Sequence, residues 1–276
     1  MEPVSRLTKI ALLAISGTLL AGILAAAEPA INYNIHLWEP GKVPMATGEG
    51  PLDAPFVTVF LPPPEKRNGA AVIVAPGGSN IMLMYGAEGM DIAERVNDWG
   101  VTAFVLTYRL SPKYNDSART LDGQRAIRLS RARASEWKLD PARIGYAGFS
   151  AGSNMGRLVA ASSGPGDPAA ADPIDRMSSR PDFLVLVYGA GRATPGESLK
   201  NFPPTFLLSA AADTGPALGN AQLFADLTRA GAVAEIHVYQ KGRHGFGSGS
   251  SSPNFSDWMG RLEHFLRIGG FLEEHK

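Results

Sequence analysis

Ile144-Gly145-Tyr146-Ala147-Gly148-Phe149-Ser150-Ala151-Gly152 is the stretch on which the reading of this chain turns. An apolar run ends in Gly-x-Ser-x-Gly and passes directly into a helical pattern that continues to Ala161. So tight a passage from strand to helix leaves no room for Cβ atoms at its two ends, and glycines supply that room. The serine between them is forced into a strained backbone that exposes its hydroxyl. Alone, the pentapeptide is weak evidence in a chain with 31 glycines. The serine could equally cap the helix that follows, so its surroundings must decide.

Working outward, strands and helices alternate on both sides. Phe56–Leu61, Ala70–Ala75, Thr102–Tyr108 and Arg143–Gly148 read as strands, as do Phe183–Tyr188, Thr205–Ser209 and Ala234–Tyr239. Residues 83–99, 119–138, 150–161, 216–231 and 254–272 read as helices. Ala70–Ala75 is apolar throughout, as expected of a strand covered on both faces. The expected fold class is α/β, with a mostly parallel central sheet of about eight strands and helices on both faces. Residues 31–55 read as an extended lead-in. Helix 119–138 carries Arg119, Arg125, Arg128, Arg131 and Arg133, and is expected to be a solvated outer helix with Arg125 packed under the sheet. Two irregular loops, 162–182 and 242–253, are expected beside strand ends, where such sheets place their sites.

The chain has 276 residues, 26 basic and 26 acidic side chains, and no cysteine. The charge balance lacks the footprint of a nucleic-acid binder. The missing cysteine excludes disulfides, thiolate metal sites and a cysteine nucleophile. Arg6 and Lys9 precede an apolar run from Ile10 to Ala27 that ends Ala25-Ala26-Ala27. Residues 1–27 therefore read as an export signal, with an uncleaved anchor as the competing possibility. Cleavage would leave residues 28–276 as a single domain in the periplasm or outside the cell, without stable membrane association. The sequence carries no signature of an oligomeric state.

A serine hydroxyl needs a base to take its proton. Of His36, His237, His244, His264 and His275, only His244 stands in a glycine-rich loop (Lys241–Gly247) directly after a strand. An orienting carboxylate should leave a neighbouring strand and precede the histidine. Asp213, in Ala211-Ala212-Asp213-Thr214-Gly215, does so, although it could instead cap the next helix. Asp226 falls within a helix and Asp257 follows the histidine, so both are poorer choices. Negative charge developing on a substrate oxygen needs backbone N–H groups aimed at it. Ala151 offers one, and Pro76-Gly77-Gly78-Ser79 after an apolar strand offers another. No H-E-x-x-H occurs, and neither a metal nor a cofactor is called for.

Together, Pro76-Gly77-Gly78-Ser79, Asp122-Gly123-Gln124-Arg125-Ala126, Gly148-Phe149-Ser150-Ala151-Gly152, Asp213 and His244 resemble the α/β-hydrolase superfamily. Within it the chain is similar to secreted bacterial acetyl esterases of the acetylxylan- and feruloyl-esterase-like group, over roughly residues 33–270. The resemblance implies the α/β-hydrolase fold and a Ser150–His244–Asp213 triad. It further implies an oxyanion hole from Gly78 or Ser79 with Ala151, and a small-molecule or oligosaccharide ester as substrate. Ser79 stands where a third glycine is common, and Ser153 where a glycine often follows the elbow. Ser79, with Met82, Met84 and Tyr85, is expected to shape the acyl pocket, Met82 and Tyr85 as substrate contacts. The alternatives are a feruloyl or other aromatic ester hydrolase, a prolyl-oligopeptidase-like serine peptidase, and a non-catalytic binding protein on the same scaffold. The peptidase would usually bring a β-propeller, and no blade-like repeat is present.

Overall fold

The computed structural model describes residues 32–194, 196–250 and 253–272. The export signal read at 1–27, and His275, lie outside them. Eight strands form one sheet: β1 (Tyr33–His36), β2 (Phe56–Phe60), β3 (Ala71–Ala75), β4 (Thr102–Thr107), β5 (Ile144–Phe149), β6 (Leu184–Val187), β7 (Thr205–Ala210) and β8 (Ala234–Tyr239). Their spatial order is β1-β2-β4-β3-β5-β6-β7-β8. β1 and β4 each pair antiparallel with β2, and the remaining neighbours are parallel. The expected α/β-hydrolase sheet is thus present.

Strand periodicity explains why helices can cover both faces. Along β3, Ala71, Ile73 and Ala75 enter one core, whereas Val72 and Val74 enter the other. β4 divides likewise, with Phe104 and Leu106 against Ala103 and Val105. The first core takes its helical side chains from α2 (Asp116–Ala132), α3 (Ala151–Ala161) and α4 (Thr214–Arg229). The second takes them from α1 (Asp91–Asp98) and α5 (Trp258–Ile268). After β3 the chain winds outward to β4, then returns across β3 to β5. The loops leaving β3 and β5 therefore diverge at a crevice on the carboxyl edge, the usual place for a ligand in such sheets.

Four expectations need correction. The lead-in 31–55 contains β1, whose four residues pair with β2 from Tyr33↔Val59 to His36↔Phe56. A strand this short, with three of its four residues exposed, carries little alternation to read. The helix expected over 83–99 is a π turn, Gly86–Met90, followed by α1. The basic helix is not a solvated face. Arg119 is buried as well as Arg125, the one arginine expected to be packed, which is ion-paired to Asp172 and Asp175 and donates to the Leu37 carbonyl at 2.8 Å. Arg131 pairs with Asp182 at 2.8 Å. The lead-in and loop 162–182 lie over this helix and bring its partners. That loop is consequently docked at the amino edge of the sheet, where Asp182 exchanges hydrogen bonds with Ile144, and not beside the crevice.

Candidate active site

Ser150 follows β5 and precedes the first turn of α3, with φ 50° and ψ −115°. A non-glycine residue here is strained, and the strain persists because neighbouring backbone packs against it. A Cβ on Gly148 would come within 2.2 Å of the Gly152 carbonyl oxygen, and one on Gly152 within 2.1 Å of the Ala75 oxygen. Ser150 N–H donates to Val187 O at 3.0 Å, and its carbonyl accepts from Ser153 and Asn154. The side chain makes no capping bond to α3. Its Oγ lies 2.7 Å from His244 Nε2 instead.

His244 leaves the carboxyl end of β8 on the 242–253 loop, and its Nδ1 lies 2.6 Å from Asp213 Oδ2. Asp213 follows β7 at the N-cap position of α4, again without a side-chain cap. The carboxylate that could have capped a helix is turned to the imidazole. With Nδ1–H donated to Asp213, a neutral ring presents its Nε2 lone pair to the Ser150 hydroxyl. The Asp213 side chain is 17% exposed and that of His244 45%, so the relay opens to solvent at the histidine. The other candidates are elsewhere: His36 on β1, His237 beside Glu235 on β8, His264 in α5, Asp226 with Gln222 and Arg229, and Asp257 with Tyr239 and Arg261.

The loop after β3 reaches the same crevice. Gly78 has φ 129°, Ser79 φ 55° and Asn80 φ 62°, a succession of positive-φ residues. The Gly77 N–H is occupied by Glu88 Oε2 at 2.7 Å. Among the described residues, no protein acceptor bonds the N–H of Gly78, Ser79 or Ala151. Met82 donates its N–H to the Gly78 carbonyl, and its side chain is exposed beside those of Ile81 and Met84. Tyr85 is half-buried, with its hydroxyl given to Thr58 Oγ1 on β2 rather than left open for a ligand. Concavities of about 800 and 700 Å³ flank α2, and neither is lined by Ser150, Asp213 or His244.

Sequence reasoning missed two side chains beneath the site, Glu88 and Tyr188. Glu88 sits in the π turn, where a helical pattern gives no cue to bury a carboxylate. Tyr188 follows β6 at φ 38° and lies with its ring 5.0 Å from the His244 imidazole. Burial, reinforced by the neighbouring Glu88 carboxylate, raises the Tyr188 hydroxyl well above its usual range, so it stays protonated and can donate. The only sequence signal was Tyr188 at the polar end of an apolar strand.

Comparisons with known proteins place this geometry in context. The family described as BD-FAE matches residues 57–175. An acetylxylan esterase from Xylanibacter ruminicola is 27% identical over 85% of this chain. The chain spans 50% of that relative's length. The crystal structure of an acetyl ester-xyloside bifunctional hydrolase from Caldicellulosiruptor lactoaceticus superposes with a TM-score of 0.79 at 30% identity. That match covers 87% of this chain and 97% of the other. A thermophilic esterase from Thermogutta terrifontis shares the fold, with a TM-score of 0.71 at 18% identity over 90% of this chain and 97% of that one.

Proposed function

Because the chain belongs to the α/β-hydrolase superfamily, in its acetyl-esterase-like branch, we propose that it is a serine carboxylesterase removing short acyl groups from xylan-type sugars. The observation that carries this reading is the continuous chain Ser150 Oγ–His244 Nε2 (2.7 Å) and His244 Nδ1–Asp213 (2.6 Å) on a strained elbow. His244 takes the Ser150 proton as Oγ bonds to the ester carbonyl carbon. The oxygen that becomes negative is met by Ala151 N–H and by Gly78 or Ser79 N–H. His244 then returns the proton to the departing sugar oxygen, leaving an acyl-serine. Water, deprotonated by the same imidazole, attacks that ester and frees the carboxylic acid and Ser150. Asp213 stays ionised and holds the ring in the tautomer this cycle needs.

The acetylated sugar as substrate is supported by the acetylxylan esterase and acetyl ester-xyloside hydrolase relatives. A second reading, hydrolysis of aromatic acyl esters, is favoured by one feature. Ile81, Met82 and Met84 form an exposed apolar rim directly after the oxyanion loop. Turnover of p-nitrophenyl esters from acetate to octanoate, methyl ferulate and acetylated xylan oligomers separates the two. Acetate and the oligomers should give the highest kcat/KM; a preference for ferulate or for long chains would sink the acetyl assignment. A fluorophosphonate probe should label the wild type and spare Ser150→Ala.

Residues 1–27 are proposed to export the protein, which would bring it to a polymeric substrate or its fragments. Intact mass of the chain recovered from a bacterial periplasm should correspond to a start at Glu28. Recovery with Met1–Ala27 still attached would rule out cleavage.

A further inference from the structure

Glu88 is 3% exposed, and its two hydrogen-bond partners are both neutral. A carboxylate held only by neutral donors is an expensive way to fill buried space that an apolar side chain could pack without desolvation. Its bonds join three separate segments. Oε2 accepts from Gly77 N–H at 2.7 Å, Oε1 accepts from the Tyr188 hydroxyl at 2.8 Å, and the Tyr188 oxygen accepts from Gly247 N–H at 3.0 Å. Both amides can only donate, and the single tyrosine proton is directed to Glu88.

The ends of this chain of bonds are the parts that the proposed reaction must keep in register. Gly77 begins the oxyanion loop, and the Pro76–Gly77 peptide is gripped from its other side by the Tyr108 hydroxyl, 2.7 Å from Pro76 O. Gly247 belongs to the loop of His244, three residues beyond it. Ser150 lies between them. A Cβ at Gly77 would fall 2.6 Å from the Ser150 Cβ, and Ser150 N–H is bonded to Val187, the residue before Tyr188.

We propose that Glu88 is a positioning residue that ties the oxyanion loop, through Gly77, and the His244 loop, through Tyr188 and Gly247, to one buried carboxylate. The two loops thereby keep a common spacing about Ser150. This inference rests on the serine-esterase reading above. Glu88 itself touches neither substrate nor reacting atoms, so its effect is on geometry, where misplacement by about 1 Å can cost on the order of a hundredfold in rate.

The test uses the full chain and p-nitrophenyl acetate, with Glu88→Gln, Tyr188→Phe, the double variant, and Ser150→Ala as reference. A glutamine keeps the shape but puts an NH2 in place of one oxygen, so with its oxygen on Gly77 the Tyr188 proton has no acceptor. Each single variant should lose about tenfold or more in kcat with KM within about threefold, because ground-state binding is untouched. The double variant should lose no more than about threefold beyond the worse single one, as parts of one network do. Rates are taken per active site counted with the fluorophosphonate probe, so that loss of folded protein alone leaves kcat unchanged. Single variants within about twofold of wild type, or losses that multiply, would overturn the inference. If Ser150→Ala keeps the wild-type rate, the serine reading fails and this inference falls with it. If Ser150→Ala is inactive while the other variants are near wild type, this inference alone fails. Tyr188→Phe deletes one oxygen and decides the matter should Glu88→Gln not fold.

Discussion

Ser150→Ala is expected to lower kcat for p-nitrophenyl acetate by roughly 10³-fold or more, and His244→Ala by a similar factor. The Ser150→Ala/His244→Ala double variant should be no worse than either single one. Nucleophile and base act as one unit: without the base at 2.7 Å the hydroxyl keeps its proton, and without the hydroxyl the base has nothing to activate. Asp213→Ala should be milder, because the Tyr188 ring still flanks the imidazole at 5.0 Å after the carboxylate is gone. Stability should move in the opposite direction at the elbow. Ser150 has φ 50°, a conformation costing on the order of 1–3 kcal/mol in a non-glycine residue. Ser150→Gly should therefore unfold at a higher temperature than the wild type while remaining inactive. Steady-state kinetics with thermal unfolding on the same samples checks both halves. A Ser150→Ala variant retaining a tenth of the rate, or a double variant showing the product of the two losses, would refute the unit.

The residues brought together at the crevice were readable because they obey chain-order and strand-end rules that survive without any knowledge of packing. Ser150 follows β5, Asp213 follows β7 and His244 follows β8, each in the loop that leaves a strand's carboxyl end. Most strands were readable for the related reason that burial on both faces leaves unbroken apolar segments such as Ala71–Ala75. What could not be read depends on contacts between distant segments. Glu88 looks like an ordinary charge in a helical pattern until Gly77, Tyr188 and Gly247 converge on it. Arg119 looks solvated until Tyr114 arrives from outside the helix, and Arg125, expected to be packed, finds in Leu37 and the Asp172–Asp175 turn partners that the helical pattern does not indicate. Tyr85 has its hydroxyl engaged by Thr58 on β2, 27 positions earlier, a bond that the local sequence does not announce. In each case the side chain's partner carries no periodicity that would announce it.

Asp122→Ala should be the most damaging single change to stability, at about 3–5 kcal/mol, because it leaves the Arg109 guanidinium buried without its counter-charge. Both side chains are 0% exposed. Arg109 Nη2 and Nε reach Asp122 Oδ1 at 2.7 and 3.0 Å, and the backbone N–H of Arg109 bonds the other oxygen at 2.9 Å. The remaining guanidinium donors go to the Pro44 and Ala118 carbonyls, so nothing else on the chain is placed to replace the carboxylate. For a chain of this length the midpoint should fall by roughly 10 °C. Activity should fall with it, since the same segment holds the oxyanion loop: Tyr108 bonds Pro76 O, and Ser111 N–H bonds Asn80 O. The pH dependence separates the two forces on the carboxyl. Burial, the larger, pushes Asp122 up to about 6 from 3.8, against the downward pull of Arg109. Between those values the folded state binds the proton more tightly than the unfolded chain. The resulting stabilisation is fully present below pH 3.8 and is lost as pH rises through about 6. The stability of the wild type minus that of Asp122→Asn, which cannot titrate there, should therefore shrink from pH 4 to pH 7 in denaturant titrations, by on the order of 3 kcal/mol. A difference that grows over that interval would mean that the guanidinium, and not burial, sets the charge of this pair.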